Sequence, residues 1–290
     1  MRLTPLGKLL VFLIGLGLVG TVVYRFVPPD KLPKMPWNRS ASPAPAPPPF
    51  STSTPTSTPP PAPKPLTSAA GDWIDVPAGL FRSGANGAEV DVPAFRIQRA
   101  EVTNRQYESF LRACPPGTAC GPRESPSYWD DASYLETHLD DPVVFVSWGD
   151  ANAYCKWENG RLPSVLEWEK AARGTDGREF PTGTALSPSD VNILGADRHD
   201  EKNRAAKQIP TWAVNDPRYA RDRSPYGVLG MSGNVSEWTS SASEDEPDLR
   251  LAAGGSWDSW EFSDGRAYFR IPKNPSDRSS SLGWRCASAR

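Results

Sequence analysis

Histidine is nearly missing from this chain. Only His138 and His199 occur in 290 residues, and neither lies in an ordered metal-ligand motif. That excludes the usual histidine-built zinc or iron centres, and both histidines read as surface or packing residues. The serines of the C-terminal part, Ser256 and Ser259, have no histidine at a recognisable spacing, so no nucleophile–base pair is legible. A basic surplus is missing too. The 32 Lys and Arg are balanced by 34 Asp and Glu, for a net charge of -2. Nucleic-acid binding needs a basic face, so no nucleic acid is expected as a partner. No repeat at a fixed period is visible. Cysteine is scarce, with four in all, and none lies between Cys155 and Cys286.

Proline is plentiful, at 32 residues, but it crowds into residues 28–71 together with Ala, Ser and Thr. Such a segment cannot bury a core and reads as a disordered, semi-rigid spacer with polyproline II character. Before it, residues 1–27 carry Arg2 and Lys8, then an uncharged apolar run of about 16 residues, Leu9 to Tyr24, closed by Arg25. The run is short for a span, but Phe26 and Val27 extend it and Arg25 can snorkel. No small-x-small cleavage site follows. Residues 1–27 are therefore expected to be an uncleaved transmembrane signal anchor. The N-terminus would be cytoplasmic and the bulk of the chain periplasmic or extracellular. Residues 72–290 hold ten of the 11 tryptophans and every cysteine, enough for one well-filled core.

Within 72–290 the local signals are short. Trp73 to Phe81 reads as a strand and a turn. Val92 to Ile97 reads as a strand with Phe95 and Ile97 on one face. Thr103 and Gln106 make a capping box. The helix after it should carry Tyr107, Phe110 and Leu111 on one side and stop at Cys114, ahead of Pro115 and Pro116. Cys114 and Cys120 close a short loop, where an exported domain is expected to form a local disulfide. Pro142 to Val146 reads as a buried strand leading into a helix that starts at Ser147 with Asp150 in its first turn and ends at Gly160. Ser164 opens another helix, Val165 to Arg173, ended by Gly174. The simplest reading of Glu167, Glu169 and Lys170 is a solvated face. From Gly174 to Pro225 regular elements are few, and Trp284 and Cys286 are expected to close the chain as a short strand.

One stretch organises the rest: Tyr226 to Thr239, with three glycines in seven residues, Gly227, Gly230 and Gly233. Its apolar residues fit neither period 2 nor period 3.6, so it reads as ordered but irregular core. Gly233-Asn234 is turn-prone. A turn followed by Glu237 can gather oxygens around a hard cation, or Glu237 can simply cap nearby amides.

Taken together, these motifs resemble the formylglycine-generating enzyme family, also called the sulfatase-modifying factor family. The matching pieces are Val76 to Phe81, Glu101 to Asn104, Val146 to Trp148 with Tyr154-Cys155, and Arg161 to Ser164 with Glu167 to Glu169. They continue with Gly233-Asn234 to Thr239, Gly254 to Trp257 and Leu282 to Cys286. The resemblance implies a single mixed α/β domain, low in regular secondary structure and related to C-type lectins, with a disulfide joining Cys155 to Cys286. It also implies a calcium site built from Gly233, Val235 and Glu237, one ligand poorer here because Gly230 stands where the family usually has Asp or Asn. Oxidase members of the family hold copper with two thiolates placed after the Gly-Gly-Ser motif. By local offset the first position falls at Ser259, and Asp264 lies near the second; both are hard oxygen donors with weak affinity for Cu(I), so copper is not expected and no catalytic residue is assigned. Asp258, Glu261 and Asp264 form an acidic patch nearby. The leading expectation is a membrane-tethered, exported binding or scaffold module, its partner an unidentified protein or polar ligand in the envelope. The alternatives are an oxidoreductase that generates formylglycine on a client sulfatase, or a purely structural envelope protein.

Overall fold

The computed structural model describes residues 72–290 apart from 115–119, 122–123, 188, 194–210 and 260. The apolar run, the Pro-rich segment and His199 lie outside the described residues. Among the described residues no helix is long and apolar enough to cross a membrane.

Side-chain caps set where the helices begin. Helix α1 (Asn104–Ala113) starts at a reciprocal box between Thr103 and Gln106 and stops at Cys114. One short turn, α2 (Ala132–Thr137), follows a cap from Asp131. Ser147 with Asp150 opens α3 (Trp148–Trp157), and Ser164 with Glu167 opens α4 (Val165–Arg173). Each box satisfies two amides that a helix start would otherwise leave orphaned. Helix α4 ends at Gly174, whose φ of +71° is cheap only for glycine.

Among the described residues nine short strands form three small sheets. Strands β1 (Trp73–Val76), β2 (Gly79–Ser83), β3 (Ala88–Val92) and β4 (Phe95–Gln98) come first. Strands β5 (Ser236–Ala242), β6 (Arg250–Ala253), β7 (Arg270–Lys273), β8 (Leu282–Gly283) and β9 (Ala287–Ala289) come from the C-terminal part. The order β1-β4-β9 puts the last strand antiparallel to β4, with Ile97 opposite Ala287. Strands β2 and β3 pair as a hairpin, and the third sheet runs β7-β6-β5-β8 with β8 parallel to β5. One apolar cluster joins Tyr107, Phe110, Tyr154, Trp238 and Trp284. A second packs β1, β2 and β4 through Val76, Phe81, Phe95 and Ile97 onto Trp168 and Ala171 of α4.

Five expectations need correction. Val92 to Ile97 is not one strand, because Val92 ends β3 and β4 starts at Phe95, after a break at Pro93-Ala94. Val143 to Val146 is buried but is not a strand. Phe145 takes φ +56°, which breaks the extended run, and its amide donates instead to Ser279 O at 2.9 Å. Gly160 does not end α3. That helix caps at Glu158, and Gly160 is needed because a Cβ there would fall 2.7 Å from Ala287 O. Trp284 and Cys286 precede the closing strand rather than form it. The charges of α4 are not a solvated face. Glu169 and Lys170 are both 1% exposed. The Lys170 ammonium donates to Pro77 O, Gly79 O and Val92 O at 2.7, 2.8 and 3.2 Å. Glu169 accepts from Ser83 Oγ, Gly84 N and Arg173 at 2.9, 2.6 and 2.8 Å. The helix thus adds its charges to the apolar contacts of Phe81 and Val92 in holding the β2–β3 hairpin, since an isolated two-stranded hairpin is marginal.

All four cysteines are bridged, Cys114 to Cys120 and Cys155 to Cys286, at sequence separations of 6 and 131. Closing the longer loop removes more entropy from the unfolded chain, about 5 kcal/mol against about 2 kcal/mol on the chain-entropy account. Replacing Cys155 and Cys286 together by serine is expected to lower the denaturant midpoint far more than replacing Cys114 and Cys120. Equal losses for the two pairs would show that loop length is not what sets the stabilisation.

Candidate functional site

The Gly-Asn turn and the Gly-Gly-Ser-Trp turn are brought together in space. Asn234 has φ +68°, a region that Asn tolerates better than other residues with a side chain. Its amide donates to Asn192 O at 2.8 Å, and its carbonyl accepts from Trp257 N at 2.9 Å. Its side-chain Oδ1 accepts from Trp212 N and Asn192 Nδ2 at 2.8 and 3.0 Å. Its Nδ2 donates to Trp212 O and Glu101 Oε1 at 3.2 and 3.3 Å. One asparagine thereby ties four separate segments. Gly255 is a close-approach glycine, since a Cβ there would lie 2.8 Å from Ser232 O and 3.0 Å from Asp264 O.

Near Gly255 lie Ser259 and Asp264, the residues set against the thiolates of oxidase members by the resemblance. Ser259 Oγ accepts from Ser256 N at 3.0 Å, and Ser259 N donates to Ser256 O at 3.0 Å, a closed turn. Ser256 Oγ accepts from Asp258 N at 3.3 Å. Both hydroxyls are buried and turned onto their own backbone. Asp264 sits in a one-turn helix, Phe262–Gly265, and Asp258 and Glu261 are exposed. Glu261 accepts from Ser263 Oγ at 3.0 Å. Hard oxygens and backbone amides surround this turn. His138 takes no part, because its Nδ1 is held by Tyr134 O and Thr137 Oγ1 at 2.9 and 2.8 Å. Among the described residues no group of three His, Cys, Asp or Glu side chains gathers as a metal set.

Beneath that turn lies a polar cluster that the sequence reading did not see. Arg285 and Glu237 side chains are 0% and 1% exposed and pair face to face. Arg285 Nε and Nη2 donate to the two Glu237 oxygens, each at 2.7 Å. Arg285 Nη1 donates to Gln98 O and Arg99 O at 3.2 and 3.1 Å, and Nη2 also donates to Leu229 O at 2.8 Å. Trp168 Nε1 adds a bond to Glu237 Oε2 at 2.9 Å. The expected calcium ligand Glu237 is therefore a partner of Arg285. Glu101 lies alongside, bonded to the Tyr219 hydroxyl and to Asn234. Burial, opposed by Arg285 and reinforced by Glu237, pushes the Glu101 carboxyl up to about 8, and burial likewise lifts Asp222 to about 6 despite its bonds from Ser232. The one signal for this cluster was a charged residue between Trp284 and Cys286, where a closing segment should be apolar.

The sequence pattern described as "Sulfatase-modifying factor enzyme 1-like domain" matches residues 58–290. The chain belongs to this family. Bovine (Bos taurus) "Inactive C-alpha-formylglycine-generating enzyme 2" is 35% identical over 267 residues, covering 74% of this chain and 87% of that protein. A "Hercynine oxygenase" of Mycolicibacterium smegmatis is 30% identical over 212 residues, covering 58% of this chain but only 47% of that protein. The crystal structure of CarF superposes with a TM-score of 0.56 at 21% identity, covering 77% of this chain and 100% of that one, and so supports the mixed α/β fold. The sulfatase-modifying factor frame is thus present here, with its Gly-Asn and Gly-Gly-Ser-Trp turns joined by the bond from Trp257 N to Asn234 O.

Glu101 makes stability depend on pH with a definite sign. The native carboxyl keeps a proton that the unfolded chain has already lost, so stability falls as pH rises from about 4.5 towards about 8. Asp222 acts in the same direction over a narrower window, up to about 6. The melting temperature is expected to drop across this range, and Glu101→Gln should flatten the upper part of the drop. Parallel curves for wild type and variant would remove Glu101 as the cause.

Proposed function

We propose that this domain is a binding or scaffold module of the sulfatase-modifying factor family, without copper–thiolate oxidase chemistry. One observation carries the reading: the two positions that would need thiolates are Ser259 and Asp264, while all four cysteines of the chain are taken up in disulfides. A bridged sulfur is no thiolate, and the hard oxygens of Ser and Asp have weak affinity for Cu(I). A relative named as inactive, matched over 74% of this chain, is in keeping with it. The frame is read as C-type-lectin-like: short strands and long irregular segments, with the Gly255 turn carrying the exposed Asp258, Glu261 and Phe262. The proposed partner is a protein or polar ligand met outside the cytoplasm, with the domain tethered through Leu9 to Tyr24. Two fully formed disulfides suit an oxidising compartment.

A second reading, an oxidoreductase at a rearranged site, is favoured by the match to a hercynine oxygenase. The two readings separate in one assay. The purified protein is expected to hold no stoichiometric Cu(I) and to leave a Cys-x-Pro-x-Arg peptide unchanged. Copper-dependent aldehyde formation that survives Ser259→Ala and Asp264→Ala would instead establish a different oxidase site.

A further inference from the structure

The family resemblance places calcium against Glu237, Gly233 and Val235, with a carboxylate or amide at the position of Gly230. These residues do not fit that ion here. Both Glu237 oxygens are engaged, by two Arg285 bonds of 2.7 Å and by Trp168 Nε1 at 2.9 Å. The side-chain direction at Gly230 is also filled. A Cβ there would stand 2.5 Å from the Tyr219 ring and hydroxyl, and φ +69° further disfavours any side chain. The Tyr219 hydroxyl reaches on to Leu229 O at 3.3 Å and to Glu101. The only side chain in that set, Glu237, thus belongs to a guanidinium, and the side-chain space at Gly230 belongs to an aromatic ring.

The guanidinium is also complete. Its five N–H groups meet the two Glu237 oxygens and the carbonyls of Gln98, Arg99 and Leu229. Carboxylate plus backbone carbonyls is the kind of oxygen set that hard cations take. A planar, permanently charged fork can satisfy such a set without a metal. We propose that Arg285 is the resident cation of this domain, holding the one side chain, Glu237, that the resemblance gives to calcium, and that the domain folds and binds without a divalent metal.

The full chain, purified, is melted in chelator and in millimolar calcium and weighed by native mass spectrometry. The expected result is one melting temperature in both buffers and no added calcium mass. Arg285→Lys, which keeps the charge and loses the fork, should melt roughly 5 °C or more lower, to the same degree in both buffers. Gly230→Asp should also melt lower and gain no calcium response, since its carboxylate runs into Tyr219. One bound calcium in the wild type, with a chelator-dependent melting shift that Glu237→Gln abolishes, would overturn the proposal. A calcium-dependent rise in the melting of Gly230→Asp would overturn it equally, by showing that the oxygens remain open to a metal. Neither arm reads oxidase activity, so failure here and failure of the binding-module reading are distinguishable.

Discussion

Everything in this domain leans on a buried guanidinium, Arg285, and the carboxylate it faces, Glu237. Taking two charges out of water costs several kcal/mol per ion, and mutual attraction alone does not offset it unless the remaining donors and acceptors are satisfied. Here they are. The partners of the pair come from the end of β4, the segment before Gly230, the central strand β5 and helix α4. The charges therefore add a polar tie between β5 and elements that also meet in the second apolar cluster. Removing either partner would leave an uncompensated charge in the core, at a cost of roughly 3–5 kcal/mol.

The same logic explains how a domain with strands of two to seven residues stays ordered. Irregular backbone needs partners for its amides and carbonyls, and side chains supply them. Asn234 serves the segments at Asn192, Trp212 and Trp257. Asp222 accepts from Ser232 N and Oγ at 2.7 and 2.9 Å. Lys170 caps three carbonyls of the β1–β2 turn and β3. Because this scaffolding lies beneath the Gly255 turn and owes nothing to the residues exposed on it, chemistry on that turn can change while the frame persists. Fold and activity are separable for that concrete reason.

What could be read from the chain was local. Thr103 with Gln106, Ser147 with Asp150 and Ser164 with Glu167 mark helix starts within four residues, and all three boxes form. The ordered motifs were enough for the family and for Cys155–Cys286. What escaped depended on partners far along the chain. Lys170 looks solvated until β2 and β3 are folded over it. Phe145 looks like a strand residue because nothing nearby announces that Ser279 and Arg278 will hold it at positive φ. Glu237 looks like a metal ligand because its true partner lies 48 residues away, inside a motif that reads as apolar. The irregular run from Tyr226 was rightly seen as core, but its strand begins at Ser236, where period-2 alternation is masked by burial on both faces.

Order of synthesis gives the closing segment a further meaning. Arg285, Cys286 and β9 leave the ribosome after every element they complete. Until then β4 lacks one neighbour, Cys155 is a thiol, and Glu237 has no counter-charge to enter the core with. The contacts that close this domain reach far along the chain, Cys286 N to Gln98 across 188 positions and Cys155 to Cys286 across 131. Chains built from local contacts avoid the loop-closure entropy that such pairings cost, so this design is expected to fold slowly for its size.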